Sequence, residues 1–119
     1  IKPPFNVNKI AQSCAIESLK DQRFINKSVK HNLDWAKKIQ KTLNSYNIKT
    51  NDIGPNFFLL DFKNCKLSAS FVEKKLEASG IILREMNSYG IKNCLRLTIG
   101  NNYENKLLLD KLKNIFKNV

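Results

Sequence analysis

The feature of this 119-residue sequence that most constrains its fold is one long amphipathic stretch, residues 21–46. Its apolar positions recur every three, four or seven residues, and lysine and glutamine occupy the opposite side. Such spacing predicts a helix, capped by Asp21 and ended by a left-handed Asn47, that buries one face and exposes the other to water. The apolar positions are Ile25, Val29, Ala36, Ile39, Leu43 and Tyr46. A chain of this length can bury one core, so we expect a single domain over residues 1–119.

Three shorter helices are predicted, each from a capping residue that precedes an apolar stretch of helical spacing. They begin after Asn8, after Ser70 and after Asn101 or Asn102. Glu73 completes a capping box with Ser70, and Gly80 stands where a left-handed C-terminal cap is expected. Residues 1–8 contain two consecutive prolines, which hold the backbone extended. We expect this segment to lead in from an upstream domain.

Four apolar segments are too short for helices and are bounded by turn residues, so they predict strands. They are residues 48–52, 56–62, 81–86 and 94–99. The loop 87–93 is short enough for a hairpin, which makes the last two strands antiparallel neighbours. The predicted fold class is α/β, in the sense of a two-layer α+β domain: a small mixed or antiparallel sheet with helices packed on it.

Composition excludes several classes of function. The three cysteines are widely spaced without a Cys-x-x-Cys pair, and His31 is the only histidine, so we expect reduced, buried thiols and no metal site. No apolar run approaches the roughly 20 residues of a membrane span, and no signal peptide is visible. We therefore expect a cytoplasmic protein that does not bind membranes. No nucleophile arrangement, phosphate-binding glycine loop or paired acid is present, so no catalytic residue is assigned.

The type of the basic residues is more informative about function than their number. The net charge is +11, yet almost all of the 21 basic residues are lysines spread along the chain, and only Arg23, Arg84 and Arg96 are arginines. Arg84 and Arg96 lie in the two predicted strands of the hairpin. Arginine binds carboxylate or phosphate with two parallel hydrogen bonds, which lysine cannot do. Two interpretations stay open for this pair: an anion-binding site, or arginines that form salt bridges or reach solvent past their stems.

Four segments resemble one known family. They are PPFNVNKIAQ, NFFLLDF, IILREMNSYGIKNCLRLTIG and NNYENKLLLDKL. Together they are similar to the C-terminal third of histidinol-phosphate aminotransferases, and the match runs nearly end to end, with the strand pair as its most specific part. The resemblance implies the small C-terminal domain of a class-II, fold type I aminotransferase. In that family a preceding large domain carries pyridoxal 5'-phosphate on a lysine, and the enzyme is a homodimer.

By the same resemblance, Arg96 binds the carboxylate of L-glutamate or 2-oxoglutarate, and Arg84 helps to bind the phosphate of histidinol phosphate or imidazole-acetol phosphate. The implied reaction is amino transfer between these partners in histidine biosynthesis. The family's Schiff-base lysine and most residues that bind the cofactor would lie upstream of Ile1. We therefore expect no catalytic or cofactor-binding residue in this chain, which would be part of a longer enzyme and inactive alone.

Some alternatives stay open. Charge and size also fit a basic RNA-binding module, although we expect no nucleic acid partner because the lysines are dispersed and the aromatic residues resemble core. A regulatory domain that senses an amino acid would use Arg84 and Arg96 as its ligand clamp. A third alternative, closer to the histidinol-phosphate aminotransferases, is a related aminotransferase that handles a phosphorylated substrate, or a threonine-phosphate decarboxylase. Asn6 and Asn8 match the family's Asn-x-Asn segment or serve only as loop and cap, and Tyr89 either approaches substrate or packs in its loop.

Overall fold

The computed structural model describes residues 5–117. The chain divides into two compact units, residues 1–31 and residues 32–119. The helices of the described part are α1 (Lys9–Lys20), α2 (Gln22–Ser45), α3 (Ala69–Glu77) and α4 (Asn102–Lys117). Its strands are β1 (Lys49–Thr50), β2 (Phe57–Asp61), β3 (Arg84–Glu85) and β4 (Cys94–Thr98). Helix α2 begins in the first unit and ends in the second.

The first unit contains α1 and the beginning of α2, and both helices start at the predicted caps. The Oδ1 atom of Asn8 accepts a hydrogen bond from the Ala11 N–H at 2.8 Å, and Asp21 Oδ1 accepts one from Phe24 N–H at 3.0 Å. No residue of α1 is buried, and Cys14 is exposed, so the expectation of buried thiols is wrong for this cysteine. Val29 is also 52% exposed, whereas the predicted stripe is buried at Ala36, Ile39 and Leu43 and half-buried at Tyr46.

The second unit contains one four-stranded antiparallel sheet with the strand order β1-β2-β4-β3. Side chains alternate between its two faces. Phe58 and Leu60 of β2, together with Leu95 and Leu97 of β4, are buried on one face. Helices of the second unit cover that face, which confirms the predicted two-layer fold class.

The core of the second unit joins the sheet to three helical segments. α2 contributes Trp35, Ala36, Ile39 and Leu43, α3 contributes Ala69, Val72 and Leu76, and α4 contributes Leu108 and Leu112. Burying a large apolar side chain stabilises a fold by about 1.5 to 3 kcal/mol. This cluster therefore dominates the stability of the unit and holds the sheet in place from one side.

The N-cap of helix α3 lies two residues before the predicted one. Ser68, and not Ser70, is the N-cap residue, because its side chain accepts a hydrogen bond from Phe71 N–H at 3.2 Å. Starting at this position brings Ala69 and Val72 onto the buried face of the helix. Serine caps a helix equally well at either position, and the earlier start adds Ala69 to the buried helix face, which outweighs the local Ser70–Glu73 signal.

The strand predicted over residues 81–86 is reduced to Arg84–Glu85. The residues before it complete the C-terminal cap of α3, since Gly80 is left-handed at φ 78° and the Ile81 N–H donates to Leu76 O at 3.0 Å. That backbone donor is therefore not available for a sheet ladder. The predicted pairing itself is confirmed, because β3 lies antiparallel to β4 at the edge of the sheet.

The loop between β3 and β4 has a defined shape. A short 3-10 helix, Asn87–Tyr89, is followed by Gly90 and later by Asn93, both with positive φ, 75° and 54°. Asn93 Oδ1 accepts a hydrogen bond from the Ala69 N–H at 2.9 Å, which ties the loop to the start of α3. This loop fixes how β3 returns to the central strands.

Candidate functional site

The two arginines singled out in the sequence are direct neighbours in the sheet. Arg84 of β3 and Arg96 of β4 are Cα partners in the antiparallel pairing. Residues directly opposite in such a pair project from the same face, with Cβ atoms about 4.5 to 5.5 Å apart. Arg96 is half-buried and Arg84 is exposed. The structure thus brings both side chains together on the face opposite Leu95 and Leu97.

Neither arginine is neutralised within the part of the chain that the structure describes. The ion pair formed there is Lys20 with Glu17, at 2.6 Å. Two carboxylates line the same region but are engaged elsewhere: Glu85 accepts a hydrogen bond from the Asn87 side chain, and Glu104 accepts one from the Asn101 backbone N–H at 2.8 Å. Like charges directly opposite on a sheet are destabilising, so this pair has an electrostatic reason to attract an anion.

Each arginine contacts a different aromatic ring. The Arg84 guanidinium donates a hydrogen bond to the hydroxyl of Tyr89, and its Cζ lies 5.3 Å from the centre of that ring. The Cζ of Arg96 lies 5.9 Å from the ring centre of Phe57. Cations within about 6 Å of an aromatic face are attracted by its negative potential. Both guanidinium groups are therefore oriented by aromatic rings, which leaves most of their N–H donors free for a ligand.

The arginines line an open cleft of about 650 Å³ at the β3 edge of the sheet. Apolar side chains of Ile82 and Leu107 and the hydroxyl of Thr98 contribute to its wall. A cleft of this size is in the range that holds small organic ligands. A pair of guanidinium groups at its wall would bind a ligand that carries a phosphate or a carboxylate.

The other residues considered in the sequence lie elsewhere or offer no reaction centre. Asn8 caps α1 and Asn6 is exposed, both in the first unit. His31 is half-buried, and among residues 5–117 no cluster of metal-ligating side chains occurs. Burial raises the pKa of the Cys94 thiol, and the nearby Asp61 carboxylate raises it further. Within the same residues, no helix is long and apolar enough to cross a membrane.

One residue of this site, Phe57, departs from the expectation that the aromatic residues lie in the core. Phe57 is 39% exposed and contacts Arg96, whereas Phe58 and Phe62 are buried as expected. Strict alternation along β2 contains the signal, because Phe57 shares its face with Leu59, the Cα partner of Arg96. Residues 56–62 form one nearly continuous apolar run, and such a run does not by itself distinguish the two faces of a strand.

The sequence of this chain also matches a model of a known protein family. The model of the family described as aminotransferase class I and II matches residues 1–112. The chain belongs to this aminotransferase family, and its fold is that of the corresponding part of the fold type I aminotransferases.

Individual proteins and solved structures are also similar to this chain. The chain is 50% identical over 117 residues to histidinol-phosphate aminotransferase of Pelagibacter ubique, covering 98% of this chain and 32% of that protein. The crystal structure of histidinol-phosphate aminotransferase from Clostridium acetobutylicum matches with a TM-score of 0.79 and 25% identity, over 99% of this chain and 36% of that one. The Sinorhizobium meliloti enzyme, solved with pyridoxal-5'-phosphate, matches with a TM-score of 0.75 and 20% identity, over 99% and 32%. The chain thus spans about a third of the length of the relatives it matches.

Proposed function

We propose that this chain is the substrate-binding C-terminal domain of a histidinol-phosphate aminotransferase, the transaminase that exchanges an amino group between L-glutamate and imidazole-acetol phosphate in histidine biosynthesis. The observation that carries the proposal is the pair Arg84 and Arg96, side by side on one face and without an ion-pair partner among residues 5–117. Both substrates of such an enzyme are anions, and a guanidinium group binds either anionic group in bidentate fashion.

The two arginines divide the anionic groups between them in this proposal. Arg96, half-buried on the inner strand β4, binds the carboxylate of glutamate or 2-oxoglutarate. Arg84, exposed on the edge strand β3, binds the phosphate of histidinol phosphate or imidazole-acetol phosphate. An edge position suits the longer substrate, because its phosphate is remote from the amino group that reacts. Binding the anionic group of each substrate in this way fixes the orientation of its reacting carbon.

The cofactor of this enzyme class, pyridoxal 5'-phosphate, supplies the electron sink for amino transfer when it is bound. The described residues do not fit a site that holds it. None of the lysines between residues 5 and 117 is buried, as the lysine bonded to the cofactor would be. We propose that the cofactor is held by the part of the enzyme that precedes this chain, and that the 119 residues alone are inactive. A cytoplasmic homodimer is proposed for the whole enzyme.

The proposal is tested by comparing the 119-residue chain with the full-length enzyme that contains it. Each is mixed with pyridoxal 5'-phosphate, and the visible absorption of bound cofactor is recorded before and after histidinol phosphate is added. We expect the full-length protein to show a cofactor band that histidinol phosphate converts and 2-oxoglutarate restores. The 119-residue chain should show only the spectrum of the free cofactor.

Three results would contradict the proposal. A full-length protein that binds no cofactor would not be an aminotransferase at all. A protein that binds the cofactor but releases carbon dioxide from threonine phosphate, without converting histidinol phosphate, would instead be a decarboxylase of related fold. Steeply salt-dependent binding of RNA by the 119-residue chain would support a basic RNA-binding module.

A further inference from the structure

We propose that Tyr89 is a positioning residue for Arg84 and, through it, determines how well the enzyme binds its phosphorylated substrate. This role rests on the function proposed above, in which Arg84 binds the phosphate. The sequence left two roles open for Tyr89, and packing within its loop was one of them. Packing does not account for its position, because the side chain is 56% exposed.

The contacts of Tyr89 are directed at Arg84. Its hydroxyl accepts a hydrogen bond from an Arg84 Nη atom, and its ring centre lies 5.3 Å from the Arg84 Cζ. One side chain thus holds the guanidinium group by two different interactions, a hydrogen bond at its edge and an electrostatic attraction to its charge. Together they restrict both the position and the rotation of the group.

Arg84 needs such support more than Arg96 does. β3 has only two residues and lies at the edge of the sheet, so Arg84 is exposed. A free arginine side chain populates many rotamers, and ordering it reduces the affinity for a ligand. Arg96 is half-buried between neighbouring strands and packs near Phe57. The phosphate site therefore depends on an external support, and Tyr89 is the side chain that provides it.

The backbone around Tyr89 is itself well defined. The Tyr89 N–H donates to Met86 O at 3.0 Å, and the Gly90 N–H donates to Asn87 O at 2.9 Å. Gly90 then turns the chain at φ 75°, a conformation that residues other than glycine rarely adopt. Tyr89 is thus held by a closed turn five residues after Arg84. The backbone position of Tyr89 is thus fixed independently of Arg84, so its side chain can restrict the rotamers of the exposed arginine.

Only one of the five N–H donors of the guanidinium group is used by the Tyr89 hydroxyl. The remaining donors are available to phosphate oxygens in the bidentate geometry that arginine favours. Glutamate and 2-oxoglutarate lack a phosphate and do not use Arg84 in this scheme. Loss of the Tyr89 hydroxyl should therefore affect one substrate and spare the other.

The test is steady-state kinetics of the full-length enzyme with the variant Tyr89→Phe, which keeps the ring and removes the hydroxyl. We expect the KM for histidinol phosphate to rise about five- to tenfold, within the range for loss of a typical hydrogen bond. The KM for 2-oxoglutarate and kcat should change by less than about twofold, within the scatter of neutral substitutions. Tyr103→Phe is the matched control, because Tyr103 is 73% exposed and its hydroxyl forms no hydrogen bond among residues 5–117.

A double variant separates positioning from a general effect on the fold. In an Arg84→Ala background, Tyr89→Phe should change the KM for histidinol phosphate by less than about twofold, because residues that act as a unit are not additive. A wild-type KM in Tyr89→Phe, equal rises for both substrates, or an undiminished effect in the Arg84→Ala background would each overturn the role of Tyr89. If the unmodified enzyme does not convert histidinol phosphate, the proposed function fails, and the role of Tyr89 fails with it.

Discussion

Arg84 and Arg96 are directly paired across β3 and β4, so two positive side chains occupy adjacent positions on the same face of the sheet. Their mutual repulsion is relieved in the described residues by aromatic rings and not by carboxylates. Two adjacent positive charges are least stable when no anion is bound, and a bound anion stabilises them by compensating their charge. Several consequences of the pairing and of the fold that supports it can be measured.

Phe57→Leu should weaken the carboxylate site without weakening the fold. The substitution removes the ring that lies 5.9 Å from Arg96, and an exposed cation–π contact contributes about 0.5 to 1 kcal/mol. We expect the KM of the full-length enzyme for 2-oxoglutarate to rise about two- to fivefold. Phe58→Leu is the control, since Phe58 is buried and its loss should lower the free energy of unfolding by about 1 to 2 kcal/mol. The same unfolding loss in Phe57→Leu would show that Phe57 is a core residue after all.

Asn93→Ala should destabilise the 119-residue chain by about 2 kcal/mol, through two effects of similar size. Asn93 has a positive φ of 54°, which alanine tolerates poorly, and its side chain accepts the hydrogen bond from Ala69 N–H. Asn47→Ala is a matched comparison, because Asn47 has a similar φ of 58° and its side chain forms no comparable hydrogen bond with any of residues 5–117. Asn47→Ala should lower the free energy of unfolding, measured in urea, by only about half as much. Equal losses would indicate that the Asn93 side chain contributes nothing.

Glu73 makes the stability of the chain depend on pH. Burial raises its pKa, the carboxylates of Glu85 and Glu77 raise it further, and Lys74 opposes them. The folded state then holds the proton more tightly than the unfolded state, so this stabilising contribution is complete at low pH and is lost as pH rises through the raised pKa.

Glu73→Gln, which stays neutral, should therefore gain stability over the wild type as pH rises from about 4 to about 7. Urea unfolding of both proteins at the two pH values measures the difference. Glu17→Gln serves as a control, because Glu17 pairs with Lys20 at the surface and its loss should give no gain. A Glu73→Gln variant that is less stable than wild type at pH 7 would contradict the direction of the pKa change.

Thiol labelling should distinguish the three cysteines by their burial. Cys14 is exposed, Cys65 is half-buried and Cys94 is buried with a raised pKa. Because the thiolate is the reactive species, Cys94 should react with a disulfide reagent only after the chain unfolds, and Cys14 should react at once. Single-cysteine variants followed by mass spectrometry give the order. Rapid labelling of Cys94 in the native chain would show that the sheet near Asp61 opens readily.

Much of this fold follows from local signals in the sequence. The caps at Asn8 and Asp21, the left-handed residues Asn47 and Gly80, and the pairing of the two arginine strands are all as predicted. These features depend on neighbouring residues, and the sequence displays those directly. The single domain expected over residues 1–119 stays a prediction.

The predictions are wrong where contacts between residues distant in sequence determine the structure. The choice of Ser68 over Ser70 depends on which helix register buries Ala69 and Val72. The exposure of Phe57 and the contact of Tyr89 with Arg84 depend on how strands and loop come together. A one-dimensional pattern gives no register between segments, so the contact of Tyr89 with Arg84 could not be predicted from it, whereas alternation along β2 indicates the exposed face of Phe57.

The central claim, that Arg84 and Arg96 bind different anionic groups, is tested most directly by measuring both half-reactions of the full-length enzyme with each arginine replaced. Arg96→Ala should reduce kcat/KM for glutamate roughly 30- to 1000-fold. This corresponds to a loss of about 2 to 4 kcal/mol of transition-state stabilisation, as for loss of one partner of a charged pair. Arg96→Lys should recover little, since lysine lacks the bidentate geometry. Arg84→Ala should reduce kcat/KM for histidinol phosphate to a similar degree and leave that for glutamate nearly unchanged. Equal losses for both substrates in both variants, or full activity of Arg84→Ala with histidinol phosphate, would contradict this division.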